Sequence, residues 1–456
     1  MDSIWTRGIQ RKARTPLPGD RKIHTVVIGG GMAGILTAWM LQNEGVPVAV
    51  LEADQVGSGQ TSGTTAKVTS QHHLIYDRLE KSSGAKTASQ YARFNEEAIE
   101  AYEEIIKKEK IQCHFTRCPA FLYSCTDTEL LQKETEAAKR AGISASFEKD
   151  CELPIAVAGV MRFERQAKFH PLEFLTQLSD KVTVYEHTRV LRVQKHIVYT
   201  DRGNIHAKNI VFASHYPFIN IPGFYFTRMY QERSLVLALK NTWIPEGYYL
   251  GIDKDGLSFR GEEDILLLGG MSHRSGTDMK KKNGEVLLKE AKNMWPDCRV
   301  SQFWSAKDCI TPDGIPYIGN YSKKTPNWYV ATGFGKWGMT SSMVSARILA
   351  GKITGNPCVG ADIFAPDRGI TIRAAGKICT HSLHTAAAFG KRLLPAKKRH
   401  RKAGSGTVVR QCPHLGCRLA WNAEEETYEC PCHGSRFDRD GKLLDNPAQT
   451  DCQCRR

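Results

Sequence analysis

From residue 25 onward, short apolar runs alternate with longer stretches whose apolar positions recur every three or four residues, the pattern of an α/β protein. Thr25–Ile28 predicts a buried parallel strand, 33–44 a helix stopped by Gly45, and Val48–Leu51 the next strand. Residues 86–109 predict an amphipathic helix with Tyr91, Phe94, Ala98, Tyr102 and Ile105 on one face, followed by sheet over 115–125 and a helix over 128–143. Residues 181–212 read as four strands, two of them joined by a turn at Asp201-Arg202-Gly203, and 230–270 adds four more. A second strand–glycine–helix unit follows, with Asn327–Thr332 as strand, Gly333-Phe334-Gly335 as turn and 339–350 as a helix ended by Gly351. A last helix is predicted over 376–394. The expected architecture is an interrupted Rossmann-like domain with a mixed-sheet α+β domain, followed by a small all-β tail.

The first unit carries G-x-G-x-x-G at Gly29, Gly31 and Gly34, with Glu52 ending the second strand. Gly29 allows the tight turn, Gly31 lets backbone approach a pyrophosphate, and Gly34 lets helix and strand pack closely. The helix N-terminus, at Met32 and Ala33, directs unpaired N–H groups and partial positive charge at the phosphates. Glu52 stands where a carboxylate accepts hydrogen bonds from an adenosine ribose. This fingerprint fits NAD and FAD alike. The 57–73 loop that follows is rich in Gly, Ser and Thr and suits a close pass along a ligand.

Composition narrows the class. The 456 residues suffice for two or three domains, and 41% hydrophobic with 24% charged residues fit a globular protein without a bilayer-length apolar run. The N-terminus lacks the apolar core of a secretory signal, so the expected location is cytoplasmic. The net charge of +15 owes much to the runs at 280–282 and 397–402, read as a solvated loop and a linker. Neither is accompanied by a DNA-reading motif or aromatic platform, so no nucleic-acid partner is expected. Of 14 cysteines, six fall in the last 45 residues.

Taken together, VVIGGGMAG with Glu52, the SGTTAKVTSQHH loop, QAKFHP at 166–171 and TPDGIPYIG…YVATGFGKWGMT resemble the D-amino-acid/glycine-oxidase (DAO) type of FAD-dependent oxidoreductase. The resemblance implies FAD rather than NAD. It also implies a flavin flanked by Thr61, Thr64, Thr65 and Ala66, with Gly335, Gly338, Met339 and Thr340 setting a helix N-terminus at the pyrimidine edge of its ring. It implies an FAD-binding domain from 22–72, 160–225 and 300–356, and a substrate domain from 73–159 and 226–299. The substrate expected is an amine or amino-acid-like molecule that loses a hydride to flavin. Arg260, His273, Lys336 and Trp337 are the candidate catalytic residues.

The tail, beyond a helix and basic linker at 357–403, reads Cys412-Pro-His414-Leu-Gly-Cys417 and then Cys430-Pro-Cys432-His433-Gly-Ser435. Two thiolates and two imidazoles suit zinc in principle. The matched spacing of both loops resembles the Rieske motif instead. That resemblance implies a 2Fe–2S cluster with Cys412 and Cys430 on one iron and His414 and His433 on the other, and a disulfide between Cys417 and Cys432. Ser435 matches the position whose hydroxyl bonds a bridging sulfide, while Phe437 stands where high-potential members carry Tyr. The segment 404–456 is short for such a domain, and the order resembles bacterial fusions of a FAD oxidoreductase with a C-terminal Rieske domain. The expected activity passes electrons from substrate to flavin and then singly to the cluster, towards an unidentified acceptor. Two other readings are a flavin oxidase with a vestigial tail and a redox sensor that uses the Cys417–Cys432 pair.

Overall fold

The computed structural model describes residues 3–277, 282–390 and 407–455. The basic run at 397–402 and most of the run at 280–282 lie outside these. Two large sheets carry the first 370 residues. The first runs Tyr317–Ser322, Thr325–Thr332, Asn204–Phe212, Arg21–Ile28, Val48–Leu51, Val184–Tyr185, with Val190–Gln194 and Ile197–Thr200 appended. Its centre is parallel, Ile28 lying opposite both Phe212 and Leu51. Central strands covered on both faces must be apolar throughout, and Thr25 to Ile28 are all buried. Helices Met32–Asn43 and Gly338–Thr354 pack against each other on this sheet.

The helix 338–354 runs through Gly351, the predicted stop. A Cβ on Gly351 would lie 2.5 Å from the Asn356 carbonyl oxygen, so glycine there permits the returning chain to pass close. The actual terminator is Gly355, at φ +86°.

The second sheet has nine strands, ordered Arg299–Ile310, Tyr230–Lys240, Ile265–Arg274, Ser258–Glu262, Tyr248–Gly251, Thr116–Ser124, Gly159–Lys168, Lys67–Val68, with Ala145–Glu148 beside Gly159–Lys168. Gly159–Lys168 and Arg299–Ile310, expected among the FAD-binding segments, are strands of this second sheet rather than of the one that carries the glycine turns. Their long antiparallel ladders explain it: Arg299–Ile310 pairs with Tyr230–Lys240 along its whole length, and Gly159–Lys168 with Thr116–Ser124. The two sheets share the loop 57–66, which leaves one and enters the other.

The N-terminus, silent in the hydropathy pattern, is pinned between them. Trp5 is completely buried and its indole N–H donates to the Thr64 carbonyl at 2.6 Å.

The tail folds as a separate β unit: a four-stranded antiparallel sheet of Ala420–Asn422, Thr427–Glu429, Arg436–Phe437 and Leu443–Asp445, and a two-stranded pair of Thr407–Val408 with Cys454–Arg455. That pair joins the two ends of the unit. Its core is Val408, Leu419, Tyr428, Phe437, Leu443, Ala448 and the cysteines. The predicted last helix spans Ile372–Gly390 and begins earlier than its apolar pattern indicated.

Candidate redox sites

At the first turn, backbone crowding dictates glycine. A Cβ on Gly29 would stand 2.6 Å from the Ala213 oxygen, and one on Gly34 only 1.9 Å from the Gly29 oxygen. Gly31 is the N-cap of Met32–Asn43 and supplies no capping side chain. The Thr61 hydroxyl accepts from the Met32 N–H at 3.3 Å and ties the helix start to the loop. The Glu52 carboxylate accepts from the N–H groups of Gly30 (2.7 Å) and Asp54 (2.9 Å). Burial raises its pKa, and these two bonds oppose the rise. Thr64 accepts from the Ala66 N–H at 2.9 Å and so holds Ala66, at φ +49° and wholly buried, in a left-handed bend. Thr65 is half-buried on the same bend.

The second turn meets this loop. Gly335, at φ +57°, donates to the Cys309 carbonyl at 2.9 Å. The helix N-terminus after Trp337 has no side-chain cap, and nothing lies within 4 Å of the space beside Gly338. Thr340 donates to the Thr69 carbonyl at 3.0 Å, and the Met339 carbonyl accepts from Tyr102 at 2.9 Å. His72 fastens the corner. Its Nδ1 lies 2.6 Å from the Tyr91 hydroxyl, its Nε2 3.1 Å from Thr340 Oγ1, and its ring stacks on Trp337 at 4.7 Å. Burial pushes its pKa down to about 3, so the ring is neutral. Neither helix is capped by its own N-cap residue, each is approached through glycine, and the two helices pack against each other. These residues fit FAD: one end would take the pyrophosphate, and the other would stabilise negative charge on the reduced ring.

The candidate catalytic residues do not sit together. Lys336 donates to Ser272 and lies 3.9 Å from Glu232 Oε2. Asp308 stands opposite Glu232 in the ladder. Burial pushes Asp308 up to about 7, Lys336 opposing and Glu232 adding to the rise. Arg260 is buried, donates to the Phe169 carbonyl (3.1 Å) and Glu262 (2.9 Å), and lies over Trp5. Its neighbour Lys67 donates to Ser258; burial first, then Arg260 and Lys336, lower its pKa to about 7. His273 lies among other neighbours. Successive residues of a strand face opposite ways: Ser272 meets Lys336, while His273 bonds the Met271 carbonyl at 2.8 Å and lies 3.5 Å from Asn283 of helix Asn283–Met294. It stands apart from Lys336 and Trp337.

Sequence reasoning passed over Lys67, His72, Glu232 and Asp308. The doubled histidine after a hydroxyl-rich loop was a usable signal for His72. An acid or lysine in an alternating strand gives none.

In the tail, the two ligand loops are built alike. Gly416 N–H donates to the Cys412 carbonyl and Gly434 N–H to the Cys430 carbonyl, each at 2.9 Å, with both glycines at positive φ. Cys417 and Cys432 form a disulfide that clasps the loops. The rings of His414 and His433 stand edge to face at 5.0 Å. His414 Nδ1 and both ring nitrogens of His433 are buried without a hydrogen-bond partner, a state that a bound metal relieves. His414 Nε2 is held by Asn220 Oδ1 at 2.8 Å, which orients the ring with Nδ1 inward. The buried thiols of Cys412 and Cys430 hydrogen-bond one another. This donor set fits a cluster with two sulfur and two nitrogen ligands.

The cluster unit is docked on the flavin domain through buried charge. Arg233, 1% exposed, pairs with Glu425 and Glu429 and donates to Ser305 Oγ at 2.8 Å. Lys307 donates to the Gly434 carbonyl at 2.9 Å and to Asp445 at 3.1 Å. Asn446 donates to the carbonyls of Ser214 and Tyr216 at 2.7 and 2.8 Å. Burial raises Glu429, but Arg233 and Lys307 outweigh it and hold the carboxylate below its usual range. An apolar cavity of about 290 Å³ lies at the histidine edge, lined among others by Phe226, Thr385, Phe389, Leu415 and His433.

Comparison with known proteins agrees with this geometry. The family model "FAD dependent oxidoreductase" (DAO) matches residues 24–352, and that of the Rieske [2Fe-2S] domain matches 397–455. The chain is 33% identical to the putative Rieske 2Fe-2S iron-sulfur protein YhfW of Bacillus subtilis, over 98% of this chain and 96% of that one. It is 23% identical to the gamma-glutamylputrescine oxidoreductase of Escherichia coli, over 72% of this chain and 83% of the relative. Among solved structures, glycine oxidase from Geobacillus kaustophilus superposes with a TM-score of 0.64 at 19% identity, covering 76% of this chain and 99% of that one. L-Proline dehydrogenase from P. horikoshii gives 0.65 at 18%, covering 77% and 98%. The chain belongs to the DAO family of FAD-dependent oxidoreductases and carries a Rieske 2Fe–2S domain at its C-terminal end.

Proposed function

We propose that the protein is a dehydrogenase for an amine or amino-acid-like substrate, and that the Rieske centre is its built-in one-electron outlet. FAD supplies a hydride acceptor for the C–H beside the substrate nitrogen, and a 2Fe–2S cluster supplies single-electron capacity. The protein's own part is positional. The N-termini after Gly31 and Trp337 hold the flavin's phosphates and its electron-rich edge. Trp337, fixed by His72, and Lys336, fixed by Ser272 and Glu232, wall the space in which substrate is expected. Lys67 and Asp308, each with a pKa near neutrality, are proton-exchanging groups at that wall.

One observation carries the reading. Neighbouring residues of a single strand are divided between the two regions: Asp308 stands opposite Glu232, which lies 3.9 Å from Lys336, while Lys307 holds the carbonyl of Gly434, the residue after the proposed ligand His433. A vestigial tail has no need of such a buried, charge-matched seat. The test is anaerobic addition of amines and amino acids to the holoprotein, following flavin absorbance and the electron paramagnetic resonance signal of the reduced cluster. Flavin bleaching followed by the cluster signal is the expected result. Bleaching with a cluster that stays oxidised, and flavin colour that returns only when air is admitted, refutes the outlet role and leaves an oxidase.

A further inference from the structure

The helix Ile372–Gly390 touches the rest of the protein along a narrow strip. Ala374 and His381 are its buried residues, with His381 held by Arg274 at 2.8 Å. The opposite side faces solvent yet is not polar. Ile372, Ala375, Cys379, Leu383 and Ala386 recur at helical spacing as one uncharged stripe, with Ile372 94% and Leu383 72% exposed. Ile370, just before the helix, is 61% exposed and adds to it. Arg373, Lys377 and His384 run along one flank of the stripe.

A second, independent property belongs to the sequence around this helix. From Arg368 to Ala423 there is no Asp or Glu, while twelve Lys or Arg occur, seven of them between Lys391 and Lys402. An exposed apolar stripe is costly in water. An apolar stripe flanked by bases and followed by a polybasic run matches one surface chemistry, an apolar layer topped by negative charge.

We propose that this helix is a peripheral membrane-docking element that lays its Ile372–Leu383 stripe into the headgroup region of an anionic lipid surface. The basic segment supplies long-range attraction and the stripe supplies short-range insertion. No helix among the described residues is long and apolar enough to cross a membrane, so the attachment is superficial and reversible. The strip between stripe and protein carries Thr385 and Phe389, which line the cavity at His433. Docking in this orientation sets the histidine edge of the cluster beside the lipid surface.

The test is co-sedimentation of the full-length holoprotein with phosphatidylcholine vesicles and with phosphatidylcholine/phosphatidylglycerol vesicles. Binding at least about tenfold tighter to the anionic vesicles is expected, weakening in about 1 M salt, where charge is screened within about 3 Å. A variant with Ile372→Ser and Leu383→Ser, both at exposed positions, is expected to lose about tenfold in vesicle affinity. Its flavin and cluster absorbance should match the parent, which shows that the fold is intact. Equal binding to both vesicle types, no binding to either, or undiminished binding by the double variant each overturns the proposal. Retention on heparin or DNA without vesicle binding also overturns it and marks the basic segment as a general polyanion site.

Discussion

The flavin cleft and the cluster cage solve opposite problems. The cleft is made of what side chains leave out: glycines at 29 and 34 whose Cβ atoms would strike backbone, and two helix ends whose N-cap residues lend no side-chain bond. The cage is made of what four side chains put in, on two loops of matching hydrogen-bond pattern. A main-chain site spreads its binding over many weak contacts and fails only by collision. A side-chain site concentrates binding in four atoms and fails whenever one is removed. Substitution experiments should therefore sort the two regions sharply.

The largest effect is expected at the cage. Cys430→Ser removes one iron ligand, and the purified protein should lack the cluster by iron analysis and visible absorbance while keeping its flavin. Next comes Gly34→Val in the cleft. With a Cβ 1.9 Å from the Gly29 oxygen, helix and strand must separate, at a cost of about 3 kcal/mol or more. Loss of bound FAD measured after denaturing release, with the cluster still present, would sharpen the contrast. Loss of both groups together would break it and make the protein one cooperative unit.

The seat between the regions comes third. Arg233→Ala leaves Glu429 buried without its ion-pair partner and leaves Glu425 to Arg436 alone, which costs about 3–5 kcal/mol, whereas Arg233→Met with both acids changed to Gln costs far less. Limited proteolysis and thermal unfolding read the difference. The same seat gives a pH dependence. Asp445 is buried, which alone would raise it, but Lys307 and Arg436 hold it far below the usual carboxylate range, and Glu429 is also held low. Acids with depressed folded-state pKa values stabilise the fold above their unfolded pKa and lose that contribution as pH falls through the folded one. The docked unit is therefore expected to detach or unfold on acidification below about pH 4, monitored by protease sensitivity after Gly390. Lys307 works the other way: burial first lowers it to about 8 despite Asp445, so the burden of burying its charge is fully present below that pH and lifts above it.

Legibility followed the same division. Gly29, Gly34 and Glu52 were readable because strand, helix and second strand stand in register within 28 residues. The Rieske character of the tail was readable because residue type and spacing in its two loops alone specify that pattern. Gly351 misled because a glycine inside a helix looks like a stop, and only the returning chain at Asn356 accounts for it. That His273 meets Asn283 while Ser272 meets Lys336 had no local sign, because alternation along a strand does not announce which neighbours each face finds. Arg233, set in the run ERSLVLALK, gives no local sign that it crosses to Glu429 almost two hundred residues later. The brevity of the Rieske unit was visible, but the replacement for its missing support was not. Arg233 and Lys307 of the second sheet, with Ser214 and Tyr216 beyond the end of the first, supply that base.

The smallest effect should come from retuning the cage without dismantling it. The Ser435 hydroxyl accepts from the Ala448 N–H at 3.0 Å, so its own proton is free to bond a sulfur, and it already contacts Cys412. Ser435→Ala removes that donor and should lower the cluster potential by tens of millivolts while leaving iron content unchanged. Phe437 is completely buried in the core of the unit, and Phe437→Tyr introduces a hydroxyl at the position where high-potential Rieske proteins carry one. If that hydroxyl reaches a cysteine sulfur, the potential rises; electrons are then held more firmly and leave flavin faster. A redox titration of both variants separates the contributions, because hydrogen bonds to sulfur shift potential without changing ligand number. Equal potentials in all three proteins would mean that solvent exclusion, rather than these hydroxyls, sets the cluster's affinity for electrons.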